Sequence, residues 1–315
     1  MEQARIWGLE NLESAANARL DSSSSRELPK PLDPEIVKML LQKQDPTLMK
    51  EQLAVAVDED RDEKDRVVAL DNLEMMIESI DNANDMTNLK MWAPIIALVD
   101  SPSDPIAVHA LWVLGTAIQN NPAAQTAFLA FDPLNVLLPK LADRNNGPDV
   151  RAKALYCISG LLKYNPSALV PFEALGGWTM LKHLLNDSDM RIRRKSVFLL
   201  SSLLLPGAPK DQINDSHVDQ LSSTAPLTVA AILAHGTLEA LLTGVEGDKA
   251  DVDEDIAETT ARVLLLFSQA GGKYRGDLLR RRVGKVVDGW TGEDDGWSLT
   301  RDEWAELRQY VESGA

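Results

Sequence analysis

HALWVLGTAIQNNP (109–122) recurs 44 residues later as KALYCISGLLKYNP (153–166), and the two copies align without a gap. The alignment pairs Leu111 with Leu155, Trp112 with Tyr156, Leu114 with Ile158, Asn121 with Asn165 and Pro122 with Pro166, and runs on to Phe128 over Phe172 and Leu141 over Leu185. A looser copy lies 42 residues further on, where Arg193, Ser196, Phe198 and Leu204 fall on Arg151, Ala154, Tyr156 and Leu162. VVALDNLEMMIESI (67–80) and DIAETTARVLLLFSQ (255–269) are weaker outlying copies. A period of this size is the signature of a helical solenoid, in which each unit buries its apolar face only against its neighbours.

Apolar residues recur three and four apart and no stretch alternates with period two, so the chain is all-α. In each unit a short helix follows Asn-Pro, a second follows Asp132-Pro133 or Gly176-Gly177, and a long third opens near Pro105, Pro148 or Asp189. Proline in a first turn and glycine between helices are the expected punctuation. Three helices per repeat of this length is the armadillo and HEAT pattern, an α-α superhelix whose third helices line the binding face. The expected organisation is an N-terminal segment over 1–30, an armadillo-like domain over 31–285 and a capping segment over 286–315.

The 315 residues are 44% apolar and 25% charged, ordinary values for a chain that buries a core. The net charge of −16 repels phosphate backbones and argues against nucleic acid as a partner. No apolar run is long enough to span a bilayer. The single Cys157 sits among core positions, so a reducing, cytoplasmic setting is expected. The four His never stand three or four apart, and one Cys cannot complete a thiolate zinc site. Asp251, Asp253 and Asp255 mimic the start of a calcium loop but lack its glycine. Phosphate-binding and nucleophile-elbow motifs are missing. The expectation is therefore a binding protein with no catalytic residue, metal or cofactor; His217 and Asp219, in the insertion between Pro206 and Leu227, are the sole hint of a hydrolase.

Against the acidic background Arg191, Arg193, Arg194 and Lys195 cluster at the start of a long helix. Two readings stand: contact with an acidic partner, or salt bridges between helices. Near the N-terminus Ile6, Trp7, Leu9 and Leu12 form an amphipathic stretch ahead of four serines, either a cap on the first repeat or a segment offered to a partner. Trp290, Trp297 and Trp304 recur every seven residues, and Thr300 with Glu303 forms a capping-box pattern opening a last helix that closes the stack. Armadillo proteins of the karyopherin and catenin kind hold extended peptides with an Asn one turn after a Trp. Here Thr116, Gly160 and Ser202 stand four residues after Trp112, Tyr156 and Phe198, so a folded partner fits better than an extended peptide.

KPLDPEIVKMLL (30–41), DPTLMKEQLAVAVDED (45–60), LDNLEMMIESIDNAND (70–85), LGTAIQNNP (114–122) and RRKSVFLLSSLLLPG (193–207) occur in the order seen in one family. Over about residues 30–205 the chain resembles the Fes-type, or heat-shock-protein-binding-protein, family of armadillo nucleotide exchange factors for heat shock protein 70 chaperones, most like its fungal members. The resemblance implies a monomer that clasps one lobe of the chaperone's nucleotide-binding domain, separates the lobes and promotes ADP release and client discharge; a generic armadillo adaptor is the alternative. Residue by residue it points to Asp81, Asn82, Ala83 and Asn84, placed at the end of the first long helix, to Asn120 and Asn121 as caps or contacts, and to Arg193 and Arg194 as donors to carboxylates. Ala83→Arg is then expected to abolish exchange without unfolding the chain.

Overall fold

The computed structural model describes residues 45–207, 222–246, 252–290 and 299–313. Among these residues the fold is sixteen α-helices with no strand. Helices α1 (Asp45–Val57) and α2 (Glu63–Ile77) open the stack. Four three-helix units follow: α3 (Ile80–Asn88), α4 (Trp92–Leu98) and α5 (Asp104–Ile118); α6 (Pro122–Leu129), α7 (Leu134–Ala142) and α8 (Pro148–Leu162); α9 (Pro166–Ala174), α10 (Gly177–Leu184) and α11 (Met190–Leu203); α12 (Ala225–His235), α13 (Thr237–Thr243) and α14 (Glu254–Gln269). Helices α15 (Asp277–Trp290) and α16 (Arg301–Ser313) end the described chain. The long helices α2, α5, α8, α11 and α14 pack in series, so both outlying sequence copies, on α2 and α14, belong to this row.

The Asn-Pro of the repeat is a helix-to-helix corner. Asn120 (φ 49°) and Tyr164 (φ 56°) take the left-handed conformation that reverses the chain. The next residues, Asn121 and Asn165, cap α6 and α9 by accepting from Ala124 N and Ala168 N, and Pro122 and Pro166 fill the first helical position, where no N–H is needed. At the next corner Gly176 (φ 74°) does the same for α10.

Close approach between long helices rests on glycine. A Cβ at Gly115 would overlap the Tyr156 ring, and one at Gly160 would overlap the Gln119 amide. Buried polar groups close the helix ends: Gln125 Nε2 donates to Gly160 O (2.7 Å) and Lys163 O (3.1 Å), satisfying carbonyls that a helix C-terminus leaves free. Arginines do the same across corners. Arg66 Nε donates to Ala56 O (2.9 Å) and Arg151 Nε to Leu141 O (3.0 Å), each reaching a carbonyl ten residues earlier in the last turn of a preceding helix. Aromatic pairs fill the layer beneath, with Trp92 stacked on Phe128 and Phe172 edge-on to Trp178, both at 5.3 Å between centroids. Cys157 is fully buried, and that burial pushes its thiol far above the usual range, which leaves it a packing residue.

At the other end the capping box forms as its spacing dictates. Thr300 N donates to Glu303 Oε2 (2.7 Å) and Glu303 N to Thr300 Oγ1 (3.3 Å), while Arg262 on α14 pairs with Glu303 (2.6 Å) and Trp304 is buried. The Trp290 side chain and Trp297 lie outside the described residues, as do residues 1–44, His217, Asp219 and Asp251. Thr300→Ala is expected to cost about 1 kcal/mol, read as a lower urea midpoint with an unchanged slope. Among the described residues no single helix is long and apolar enough to cross a membrane.

Candidate functional site

The exposed side of the long-helix row carries a polar and aromatic lattice over three successive repeats. On α2, Asp71 accepts from His109 Nε2 (3.2 Å) and Glu74 accepts from Thr116 Oγ1 (2.7 Å), both partners standing on α5. The other nitrogen of His109 lies 2.7 Å from Pro105 O, which fixes the ring. Lys153 of α8 places Nζ 3.4 Å from the Trp112 ring centroid and 5.4 Å from that of Tyr156. Tyr156 Oη in turn stands 3.5 Å from Thr116 Oγ1. Three long helices are thus joined through side chains that all remain partly open to solvent.

Burial is the largest influence on the two central groups. It lowers the Lys153 pKa, against the opposing pull of Glu74 and Asp71 and with the help of Lys195. Burial likewise raises the Tyr156 phenol. The face presents carboxyl side chains on α2, aromatic rings on α5 and α8, and lysines on α8 and α11. Such a surface can grip a folded partner by shape and charge. Among the described residues no group of three or more His, Cys, Asp or Glu side chains is placed to hold a metal ion.

The residues singled out from sequence fall differently from expectation. Helix α2 ends at Ile77, and Asp81, Asn82, Ala83 and Asn84 lie in the first turns of α3, not at the end of the long helix. Asp81 is exposed, whereas Asn82 and Ala83 are buried, Ala83 at 2% exposure. Asn82 Nδ2 donates to Met76 O (2.9 Å) and Asp45 Oδ2 (3.2 Å), tying α3 to α2 and α1. Asn84 is half-buried, and its Oδ1 has no hydrogen-bond partner. An arginine at position 83 therefore has to force its way into packed structure, which stands against the expectation that it spares the fold. Asn120 is exposed at its corner, and Asn121 is the buried cap of α6.

The arginines make bonds within the protein, one of the two readings open from sequence. Arg194 forks onto Asp253 (2.5 and 3.0 Å) and reaches Asp255 (2.9 Å), joining α11 to the start of α14. That pair, with the Ile256 backbone N–H, holds the Asp253 carboxyl below its usual range and occupies two acids of the calcium-like run. Arg193 donates to Gly244 O (3.1 Å), and Arg191 pairs with Asp149 (2.7 Å) and Asp189 (3.1 Å). All three thus reach across to neighbouring elements, and apart from Asp189 their partners lie about a repeat or more away in sequence.

Stacked three-helix units with one row of long helices define an armadillo-like repeat protein. Solved structures agree on the fold alone: a designed armadillo repeat protein matches with TM-score 0.60 at 12% identity, covering 86% of this chain and 99% of that one. An engineered protein matches with TM-score 0.63 at 14% identity, covering 85% and 97%. Two family models tile the sequence, nucleotide exchange factor Fes1 over residues 6–86 and the SIL1/FES1/HPBP1 C-terminal domain over 82–241. Among curated relatives, the Hsp70 nucleotide exchange factor FES1 of Mycosarcoma maydis is 42% identical over 234 residues, covering 71% of this chain and 58% of that protein. The FES1 of Saccharomyces cerevisiae is 32% identical, covering 73% and 82%. The chain belongs to the Fes1 family of nucleotide exchange factors.

Proposed function

We propose that this protein is a nucleotide exchange factor for a heat shock protein 70 chaperone, docking the chaperone's nucleotide-binding domain on the long-helix face and separating its lobes. The observation that carries this reading is the sequence relationship, which runs through the repeats that build the face. The physical scheme needs no covalent chemistry. ADP contacts both lobes of a closed cleft, so a protein that binds the open form better withdraws part of the nucleotide's binding energy. Reciprocity then requires nucleotide to weaken the exchange factor's grip by the same factor, so that ATP discharges it along with the client. We place this work in the cytoplasm and in a monomer.

Release of a fluorescent ADP analogue from a purified heat shock protein 70 tests the proposal. Saturating protein is expected to speed release by on the order of 10-fold to 100-fold, the range of ordinary coupling energies. An unchanged release rate at saturation overturns exchange and leaves the adaptor reading.

A further inference from the structure

His109, Lys153 and Lys195 stand three residues before Trp112, Tyr156 and Phe198, giving HALW, KALY and KSVF at the same place in three successive long helices. A separation of three puts each cation and its aromatic on one helix face. With helix axes 8–10 Å apart, the rungs repeat at about 9 Å across the stack. The rungs open progressively: Trp112 and Tyr156 are half-buried, whereas Phe198 is 65% exposed beside an exposed Lys195.

The first two basic side chains are answered from the preceding helix. His109 reaches Asp71 and Lys153 covers Trp112. Lys195 has no ion pair among the described residues, while its neighbour Arg194 takes Asp253 and Asp255. Its charge instead bears on Lys153, adding to the burial that already lowers that amine. A single exposed phenylalanine is common on protein surfaces and means little alone. Here it stands in register with two partly covered rings, beside two mutually repelling ammonium groups on a chain of net charge −16.

We infer that Lys195 and Phe198 form the open rung of a cation and aromatic ladder, and that the partner completes it with a carboxylate set beside an apolar side chain. The partner's carboxylate lies against Lys195 and relieves its repulsion with Lys153, while the apolar group covers the Phe198 ring. This rests on the proposed function for the partner's identity and adds the chemistry by which the face is read.

The probe is the isolated nucleotide-binding domain of a heat shock protein 70, titrated against the full chain at low and at high salt. Phe198→Ala is expected to raise Kd by about 10-fold or more, as loss of a central aromatic anchor does. Lys195→Glu is expected to raise it by a similar factor at low salt and by much less at high salt, since screening removes the charge term. Lys182→Glu on α10, outside the long-helix row, makes the same change in net charge and should leave Kd within about twofold. Thermal melts within a degree or two of wild type separate lost contact from lost fold, and both substituted side chains are exposed. Wild-type binding that persists unchanged in Lys195→Glu and Phe198→Ala overturns the ladder and leaves exchange standing. Wild type that neither binds the domain nor speeds ADP release overturns both.

Discussion

Arg151→Ala is expected to destabilise the repeat stack by about 3 to 5 kcal/mol, the usual consequence of leaving one member of a buried ion pair alone. Arg151 and Asp187 are among the few buried charged residues, with side chains 7% and 3% exposed, and are joined by two bonds of 2.6 and 3.3 Å. Arg151 lies on α8 and Asp187 in the corner between α10 and α11, so the pair fastens the second full unit to the third. Its Nε–H holds Leu141 O at the end of α7, and Asp187 also accepts from Asp189 N at the cap of α11. Alanine abandons the carboxylate, the α7 carbonyl and the register of the next long helix together. A melting temperature lower by on the order of 10 °C should report it; a drop of only a degree or two would show that water replaces the guanidinium.

The same pair sets an acid limit. Burial opposes ionisation of Asp187, but Arg151 and the Asp189 N–H outweigh it and hold the carboxyl below the usual aspartate range. A carboxyl depressed in the fold gives stability that is fully present above the unfolded value and is lost as pH falls through the folded one. Wild type should therefore lose stability below about pH 4, and Asp187→Asn should lack that part of the slope. Replacing both partners, with Arg151→Met and Asp187→Leu, is expected to recover much of the loss, because no charge is then stranded.

What the sequence made legible follows the range of the interactions. The Asn-Pro corners are local, each a left-handed residue, a cap and a proline in three consecutive positions, so the period and the helix starts could be read directly. The Thr300 and Glu303 box is equally local. The boundary between α2 and α3 was not legible, since VVALDNLEMMIESIDNAND has no proline or glycine and the break at Glu78 and Ser79 is marked only by a serine cap. The internal partners of Arg193 and Arg194 were not legible because Gly244 and Asp253 lie more than a whole repeat ahead. The basic residue three places before each ring is equally local, but a lone basic residue on a helix reads as an ordinary solvated side chain until the stacking of the long helices sets the three in register.

Ala83→Arg is expected to lose stability and exchange together, by about 3 kcal/mol in the first and to near the basal rate in the second. Ala83 is buried on the same helix as Asn82, whose bonds to Met76 O and Asp45 fasten α3 to the end of α2 and the start of α1. Helix α3 also packs on α5 and α6. A guanidinium has six more heavy atoms' worth of side chain to place than a methyl group in roughly this class of site, and it must keep its charge in water. It can do so only by prising α3 off its neighbours, which moves the edge from which the α2 and α5 side chains reach the long-helix face. Asp81→Lys supplies the contrast, because that side chain is exposed and reverses charge at the same helix start without entering the packing. If Ala83→Arg melts with the wild type while exchange is lost, the arginine has escaped to the surface and position 83 acts by touching the partner. If it melts early and Asp81→Lys exchanges normally, the position acts through the seating of α3, as its burial demands.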